Sequence, residues 1–225
     1  MRIAITADLH LTSRAKAPQR YAAFEDILAQ VIEMHIDTVL IAGDVFDASL
    51  RDYSEFDALC QSPGYGSVQF HLIPGNHDSL LTRSAITAAN VVVYPMPTVK
   101  HFGPEQVAFL LLPYEERHTM GERLAQHAPL LSGEYWVLVG HGDYTRNHQA
   151  RFGYEPGVYM PLTARDVDVF RPAMVLLGHI HAPTKQDRVY YTGSPCAHDI
   201  TETGRRRFLV FDTETKDIRE FCTVH

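Results

Sequence analysis

The chain has 225 residues, 45% hydrophobic and 21% charged, and its 20 basic against 27 acidic side chains leave a net charge of −7. That length supports one well-buried domain rather than two of typical size. The acidic balance is the wrong sign for an unaided polyanion-binding face, and no apolar run approaches the roughly 18 residues of a membrane helix. Bound divalent cations would reverse the field locally, so a phosphate site is not excluded.

No low-complexity tract or internal repeat interrupts the sequence, and glycine and proline are spread rather than gathered into a linker. The chain therefore reads as a single domain over residues 1–225. Asp8 and His10 break the only apolar stretch near the start, so no signal peptide is expected. Three cysteines (Cys60, Cys196, Cys222) form an odd set without C-x-x-C spacing. That argues against disulfides and a zinc–thiolate site and suits a reducing cytoplasm.

The first strand is predicted over residues 2–7, and a helix over 19–34 from apolar residues Tyr21, Phe24, Ile27, Leu28, Val31 and Ile32 at helical spacing. A second strand ends at Gly43, residues 51–60 form a short helix, and a third strand runs near 68–73. Another helix is predicted over 82–89, followed by a Val91-Val92-Val93 strand. The pattern then turns β-rich, at 98–102, 106–112, 134–139, 173–177, 188–192, 206–211 and 218–222, with one helix near 116–127. The last two strands flank Thr213-Glu214-Thr215-Lys216 and read as a hairpin. Alternating βα units followed by a β-rich half imply an α/β fold of two packed sheets with helices outside.

Five short signatures follow apolar, strand-like runs: Asp8-Leu9-His10, Gly43-Asp44, Gly75-Asn76-His77-Asp78, Gly140-His141 and Gly178-His179-Ile180-His181. Strand ends that present such residues to one sheet edge can gather them into a single cluster. Asp8 and His10 stand two apart, as do His179 and His181, so each pair shares a face in extended backbone. Asp44 is placed to bridge two cations with its two oxygens, Asn76 offers a neutral oxygen, and His141 another nitrogen. Imidazole, carboxylate and amide donors without thiolate favour manganese, iron or zinc over a structural zinc knot. Any one of these pairs alone is a chance occurrence, and a lone histidine on a strand is more often packed than ligating. Five in one order at strand ends point to two metal ions activating water against a phosphate ester.

The same series, from residue 8 to 181, resembles the calcineurin-like metallophosphoesterase superfamily. The resemblance implies a four-layer αββα sandwich of two mixed sheets, with a dinuclear site at the sheet edge. It implies that Asp8, His10, Asp44 and His181 hold one metal, and that Asp44, Asn76, His141 and His179 hold the other. Manganese is the first expectation, with iron, zinc or magnesium as alternatives. His77 is then the protonated acid facing the scissile phosphate, with Asp78 orienting its ring and favouring the imidazolium.

Within the superfamily, Ala7-Asp8-Leu9-His10-Leu11, Gly43-Asp44-Val45-Phe46-Asp47 and Tyr191-Thr192-Gly193-Ser194-Pro195 are similar to the SbcD-type nucleases of double-strand-break repair. This implies a DNA exo- or endonuclease, with an ABC-type ATPase partner and a homodimer as its associations. Members of that branch continue into a DNA-capping domain and an ATPase-docking segment, both expected to be absent here. The alternative is a small-molecule phosphodiesterase or phosphatase, for example on cyclic nucleotides, which the acidic net charge favours. A non-catalytic protein-binding scaffold ranks last, because it predicts eroded ligands and none is eroded.

Other residues near the motifs receive structural readings. Arg14, Lys16 and Arg20 are within reach of a backbone phosphate, but a solvated loop and first helical turn is preferred. Arg205-Arg206-Arg207 leads into a strand and splits between its faces. Tyr144, His148 and His198 are candidates for the substrate cleft but read individually as ordinary surface. Tyr53, Phe56 and Leu59 are expected in the core.

Overall fold

A computed structural model describes residues 1–131, 135–145 and 158–224. In chain order the elements are β1 (Arg2–Thr6), α1 (Pro18–Glu33), β2 (Thr38–Ala42), α2 (Ser54–Cys60), β3 (Gln69–Ile73), β4 (Val91–Val93), β5 (Thr98–Phe102) and β6 (Val107–Leu112). They continue as α3 (Met120–His127), β7 (Trp136–His141), β8 (Tyr144–Thr145), β9 (Leu162–Thr163), α4 (Ala164–Phe170), β10 (Met174–Gly178), β11 (Thr184–Gln186), β12 (Val189–Tyr191), β13 (Arg207–Asp212) and β14 (Ile218–Cys222). Single 3-10 turns lie at Arg83–Ala85 and Ala128–Leu131.

Two six-stranded mixed sheets result. The first has the order β14-β13-β1-β2-β3-β4, and the second β11-β12-β10-β7-β6-β5. In the first, β1 to β4 run parallel while β13 and β14 pair antiparallel beside β1. In the second, β6, β7, β10 and β12 run parallel, and β5 and β11 close the edges antiparallel.

Alternation along each strand supplies two buried faces, as expected when a sheet is covered on both sides. Ile3, Ile5, Leu40 and Ala42 pack between the sheets with Phe109, Val137, Val139 and Leu176, whereas Ala4, Val39 and Ile41 face the other way. There they meet Tyr21, Phe24, Ile27, Leu28 and Val31 of α1 and Phe56 of α2. On the far side Leu110, Leu138 and Val175 pack on Met120 and Leu124 of α3 and Val167 of α4. The order of layers is therefore αββα. The core placement of Phe56 and Leu59, with Tyr53 partly buried against them, agrees with the sequence reading.

Three helices depart from expectation. Over 82–89 only the Arg83–Ala85 turn forms. The reason is Asp57, whose carboxylate accepts hydrogen bonds from the Thr87 and Ala88 amides at 2.9 and 3.0 Å and from the Thr87 hydroxyl at 2.7 Å. Those amides are the donors that a continuing helix needs. Helix α3 starts at Met120 rather than 116, because Thr119 and Glu122 form a reciprocal capping box. The same device, Thr163 with Asp166, starts α4, which the apolar pattern did not signal. No helix among the described residues is long and apolar enough to cross a membrane.

Candidate metal centre

The five motifs leave the C-terminal ends of β1, β2, β3, β7 and β10, all parallel strands, three from one sheet and two from the other. Carboxyl edges of parallel strands are where α/β folds place ligands. The first two motifs run side by side past the sheet edge: the Asp8 amide donates to the Gly43 carbonyl, His10 to Asp44 and Leu11 to Val45, at 2.9–3.1 Å. Asp8, His10, Asp44 and His179 all have positive φ, at 55°, 44°, 50° and 97°. Non-glycine residues rarely adopt this region, and such strain gathers at functional sites.

Two glycines let the sheets approach closely here. Gly43 has φ of +90°, and a Cβ on it would lie 2.1 Å from His141 Nδ1. A Cβ on Gly178 would lie 2.2 Å from the Ala42 carbonyl oxygen of the other sheet. Glycine answers both demands, for φ and for space.

Asp44 lies at the middle of the cluster. Its Oδ2 stands 3.5 Å from His10 Nε2 and 3.3 Å from His141 Nε2, while its Oδ1 accepts the His77 amide at 2.8 Å. Asp44 Oδ2 thus stands between two groups of donors. On one side His10 Nε2 faces His181 Nε2 at 3.1 Å. On the other, Asn76 Oδ1 is 2.9 Å from His141 Nε2 and 3.1 Å from His179 Nδ1. Asp8 is fully buried, accepts the His179 amide at 2.9 Å and lies 4.0 Å from His141. All seven residues expected as ligands are thus brought together.

The donor set fits divalent ions. Two imidazole nitrogens meet at 3.1 Å, and two more meet one amide oxygen at 2.9 and 3.1 Å, so nitrogen and oxygen atoms able to ligate a cation converge at short range. Ligand atoms of Asp8, Asp44 and His141 fall within 4.8 Å of one another, as do those of His10, Asp44 and His77. The Nδ1 atom of His141 donates to the Ala42 carbonyl at 2.9 Å, which leaves Nε2 directed at the cluster.

Electrostatics give the site its character. Burial opposes the charged His141 ring, but Asp44 and Asp8 outweigh it and lift the ring to about 9. Burial likewise pushes Asp44 up, yet His141, His10 and His77 hold it well below the usual carboxylate range. Burial raises Asp8 to about 6 against the pull of His141 and His181. His10 is driven well below its ordinary value by burial, only partly offset by Asp44.

His77 is half-buried, its ring edge-on to His10 at 4.6 Å. Asp78, expected to orient that ring, is held from the backbone side. Both Asp78 oxygens turn inward and accept backbone amides, Gly75 at 2.6 Å, Val45 at 2.8 Å and Phe46 at 3.1 Å. Asp78 thus ties the third motif's turn to the loop after Asp44. Burial and the Asp44 charge raise its carboxyl to about 7, against those amides. Beside His77 lies an open cavity of about 600 Å³ lined by Ala48, Asn76, His77, Ser79, Tyr114, Glu116 and Tyr159.

Several neighbours were not legible in the sequence. His181 Nδ1 donates to Glu202 Oε1 at 2.5 Å, and Arg206 pairs with Glu202 at 3.2 Å while donating to the His181 carbonyl at 2.9 Å. Asp143 Oδ1 lies 3.7 Å from His179 Nε2. His198, read as surface, is half-buried with its ring 4.7 Å from those of both His10 and His181. Burial, then His181, pushes that ring down to about 3. Tyr144, also read as surface, is buried, and its amide donates to the Tyr191 hydroxyl at 2.6 Å. His148 lies outside the described residues. Arg14 is paired with Glu25 at 2.8 Å, and Arg20 donates to the His10 carbonyl and lies 3.6 Å from Asp47, so both act structurally.

Comparisons with known proteins agree with this geometry. The calcineurin-like phosphoesterase family matches residues 1–183. An uncharacterized metallophosphoesterase, YhaO of Bacillus subtilis, is 25% identical over 224 residues, covering 91% of this chain and 52% of the relative. The SbcD component of the SbcCD nuclease of the same organism is 26% identical over 249 residues, covering 91% of this chain and 64% of the relative. The chain thus spans between half and two thirds of the length of these relatives. TT1561 of Thermus thermophilus shares the fold, with a TM-score of 0.63 at 9% identity and 98% of both chains covered. GAP50 of Plasmodium shares it with a TM-score of 0.67 at 12% identity, covering 99% of this chain and 84% of that one. A motif series that converges from two sheets onto one buried carboxylate, and a family match over most of its length, have one reading: this chain belongs to the calcineurin-like phosphoesterase family.

Proposed function

We propose that the chain is a dinuclear-metal phosphodiesterase acting on DNA, in the manner of the SbcD-type nucleases. The observation that carries the metal assignment is Asp44 Oδ2, shared between His10 Nε2 at 3.5 Å and His141 Nε2 at 3.3 Å. Asp8, His10, Asp44 and His181 would hold one ion, and Asp44, Asn76, His141 and His179 the other. Two such ions, manganese first, would lower the pKa of water and share the charge developing on phosphoryl oxygens. The protein's own groups do the rest. Glu202 fixes the His181 tautomer, the Ala42 carbonyl fixes that of His141, and Asp78 holds the Asp44 and Gly75 loops in register. His77, at the cavity wall, is the group that donates a proton to the leaving oxygen.

The DNA assignment rests on the similarity to the SbcD component of the SbcCD nuclease and on the Gly193-Ser194-Pro195 turn, whose Ser194 hydroxyl takes a hydrogen bond from Arg206 at 2.9 Å. The cavity beside His77 has room for a nucleotide flanking the scissile phosphate. An ABC-type ATPase partner, a homodimer and a cytoplasmic setting follow from the same likeness, and the three unpaired cysteines suit that setting. The test is hydrolysis in manganese of end-labelled single- and double-stranded DNA beside bis-p-nitrophenyl phosphate and cyclic nucleotides, with Asp44→Ala as control. DNA cleavage lost in the variant is expected. Turnover of the small esters alone would move the substrate to a small phosphodiester, a reading that the net charge of −7 favours.

A further inference from the structure

We propose that His198 is an eighth ligand residue, supplying a third imidazole to the metal position formed by His10 and His181. This rests on the metal-centre reading above and extends it to a residue outside the five motifs. The rings of His10 and His181 each lie 4.7 Å from that of His198, and one ring nitrogen from each of the three falls within 4.8 Å of the others. The Nε2 of His198 is buried and has no hydrogen-bond partner among the described residues. An uncompensated buried imidazole nitrogen is costly in a cavity of polar groups, and coordination to a cation removes that cost.

The segment carrying His198 is built to hold the ring there. The His198 amide donates to Glu202 Oε2 at 3.0 Å, while Glu202 Oε1 takes the His181 Nδ1 proton at 2.5 Å. One carboxylate thus positions two of the three imidazoles. Arg206 anchors that carboxylate from below at 3.2 Å and ties it to the Gly-Ser-Pro turn through Ser194. The groups facing His198 are His10, His181, Glu202, Arg20 and Arg206. The two guanidiniums among them are engaged, Arg20 with the His10 carbonyl and Asp47 and Arg206 with Glu202. A cation at this position would be held by three imidazoles as well as Asp8 and Asp44, a donor set with three nitrogens that favours borderline transition metals over magnesium.

Manganese binding by titration calorimetry tests this on the whole chain, comparing wild type, His198→Ala, His198→Gln and, as control, His101→Ala on the exposed edge strand β5. Melting in EDTA establishes that the variants fold, and His198→Gln, which keeps bulk and polarity, separates loss of the nitrogen from loss of packing. The expected result is a roughly tenfold or greater loss of affinity at one of two manganese sites in both His198 variants, with the other site and the His101→Ala protein unchanged. Two ions bound by His198→Ala within twofold of wild type would overturn the inference and leave the seven-residue centre intact. A wild-type chain that takes up no manganese would overturn both.

Discussion

Alanine at Gly43 strikes the site through a single methyl group. A Cβ there would stand 2.1 Å from His141 Nδ1 and 2.5 Å from Cγ, so the ring has to retreat by about 1.3 Å to reach ordinary 3.4 Å contact. The ring cannot simply swing away, since Nδ1 is tied to the Ala42 carbonyl at 2.9 Å and Nε2 faces Asn76 at 2.9 Å. The residue also sits at φ +90°, a strain of about 1–3 kcal/mol for a side chain that has a Cβ. At this chain length each kcal/mol lowers Tm by roughly 2–4 °C. Gly204→Ala isolates the strain, because Gly204 has φ +101° with nothing within 4 Å, and Gly64→Ala carries neither strain nor clash. Melting of all three in EDTA should therefore show Gly64→Ala near wild type, Gly204→Ala several degrees lower, and Gly43→Ala lower still. Hydrolysis of bis-p-nitrophenyl phosphate in manganese should fall about a hundredfold or more in Gly43→Ala, the penalty of a ligand misplaced by an ångström. Turnover and manganese affinity within twofold of wild type in Gly43→Ala would refute the close packing of the two sheets on which the site depends.

Other outcomes follow from the same geometry. His77→Ala should bind both ions and lose about 10²–10⁴-fold in turnover, and a rate near wild type would remove His77 as the acid. Glu202→Gln should weaken manganese binding about 10–100-fold by loosening His181, measured by calorimetry, and unchanged binding would show the 2.5 Å contact to be incidental. His71 is buried against Tyr94 at 2.8 Å, and burial holds its ring down to about 4. Its folded value lies below the unfolded one, so its contribution is complete above pH 6.5 and is lost as pH falls through 4, a loss of about 3 kcal/mol. Urea unfolding of His71→Leu should be correspondingly less acid-sensitive than wild type over that window, and parallel pH profiles would count against the assignment.

What the sequence disclosed follows from how local each signal is. Every motif is two to four consecutive residues after an apolar run, so chain connectivity alone carries Asp8, His10, Asp44, Asn76, His141, His179 and His181 to strand ends. The αββα layering was legible for a similar reason, because strands such as Thr38–Ala42 are apolar on both faces. The support of His181 by Glu202 had no such signal. It lies 21 residues on, in a polar Thr-Glu-Thr-Gly stretch, and only the fold brings it back. His198 meets His10 across most of the chain, so its neighbours were invisible to any local pattern. The missing helix at 82–89 is a tertiary override, with Asp57 claiming amides from 30 residues away. The backbone role of Asp78 was equally hidden, since the amides of Val45 and Phe46 come to its carboxylate from more than 30 residues away.

The most direct test of the account is anomalous scattering from manganese-soaked crystals. Two peaks about 3.5–4 Å apart, one on each side of Asp44 Oδ2, are expected. One peak, or two that do not share Asp44, would contradict the dinuclear centre.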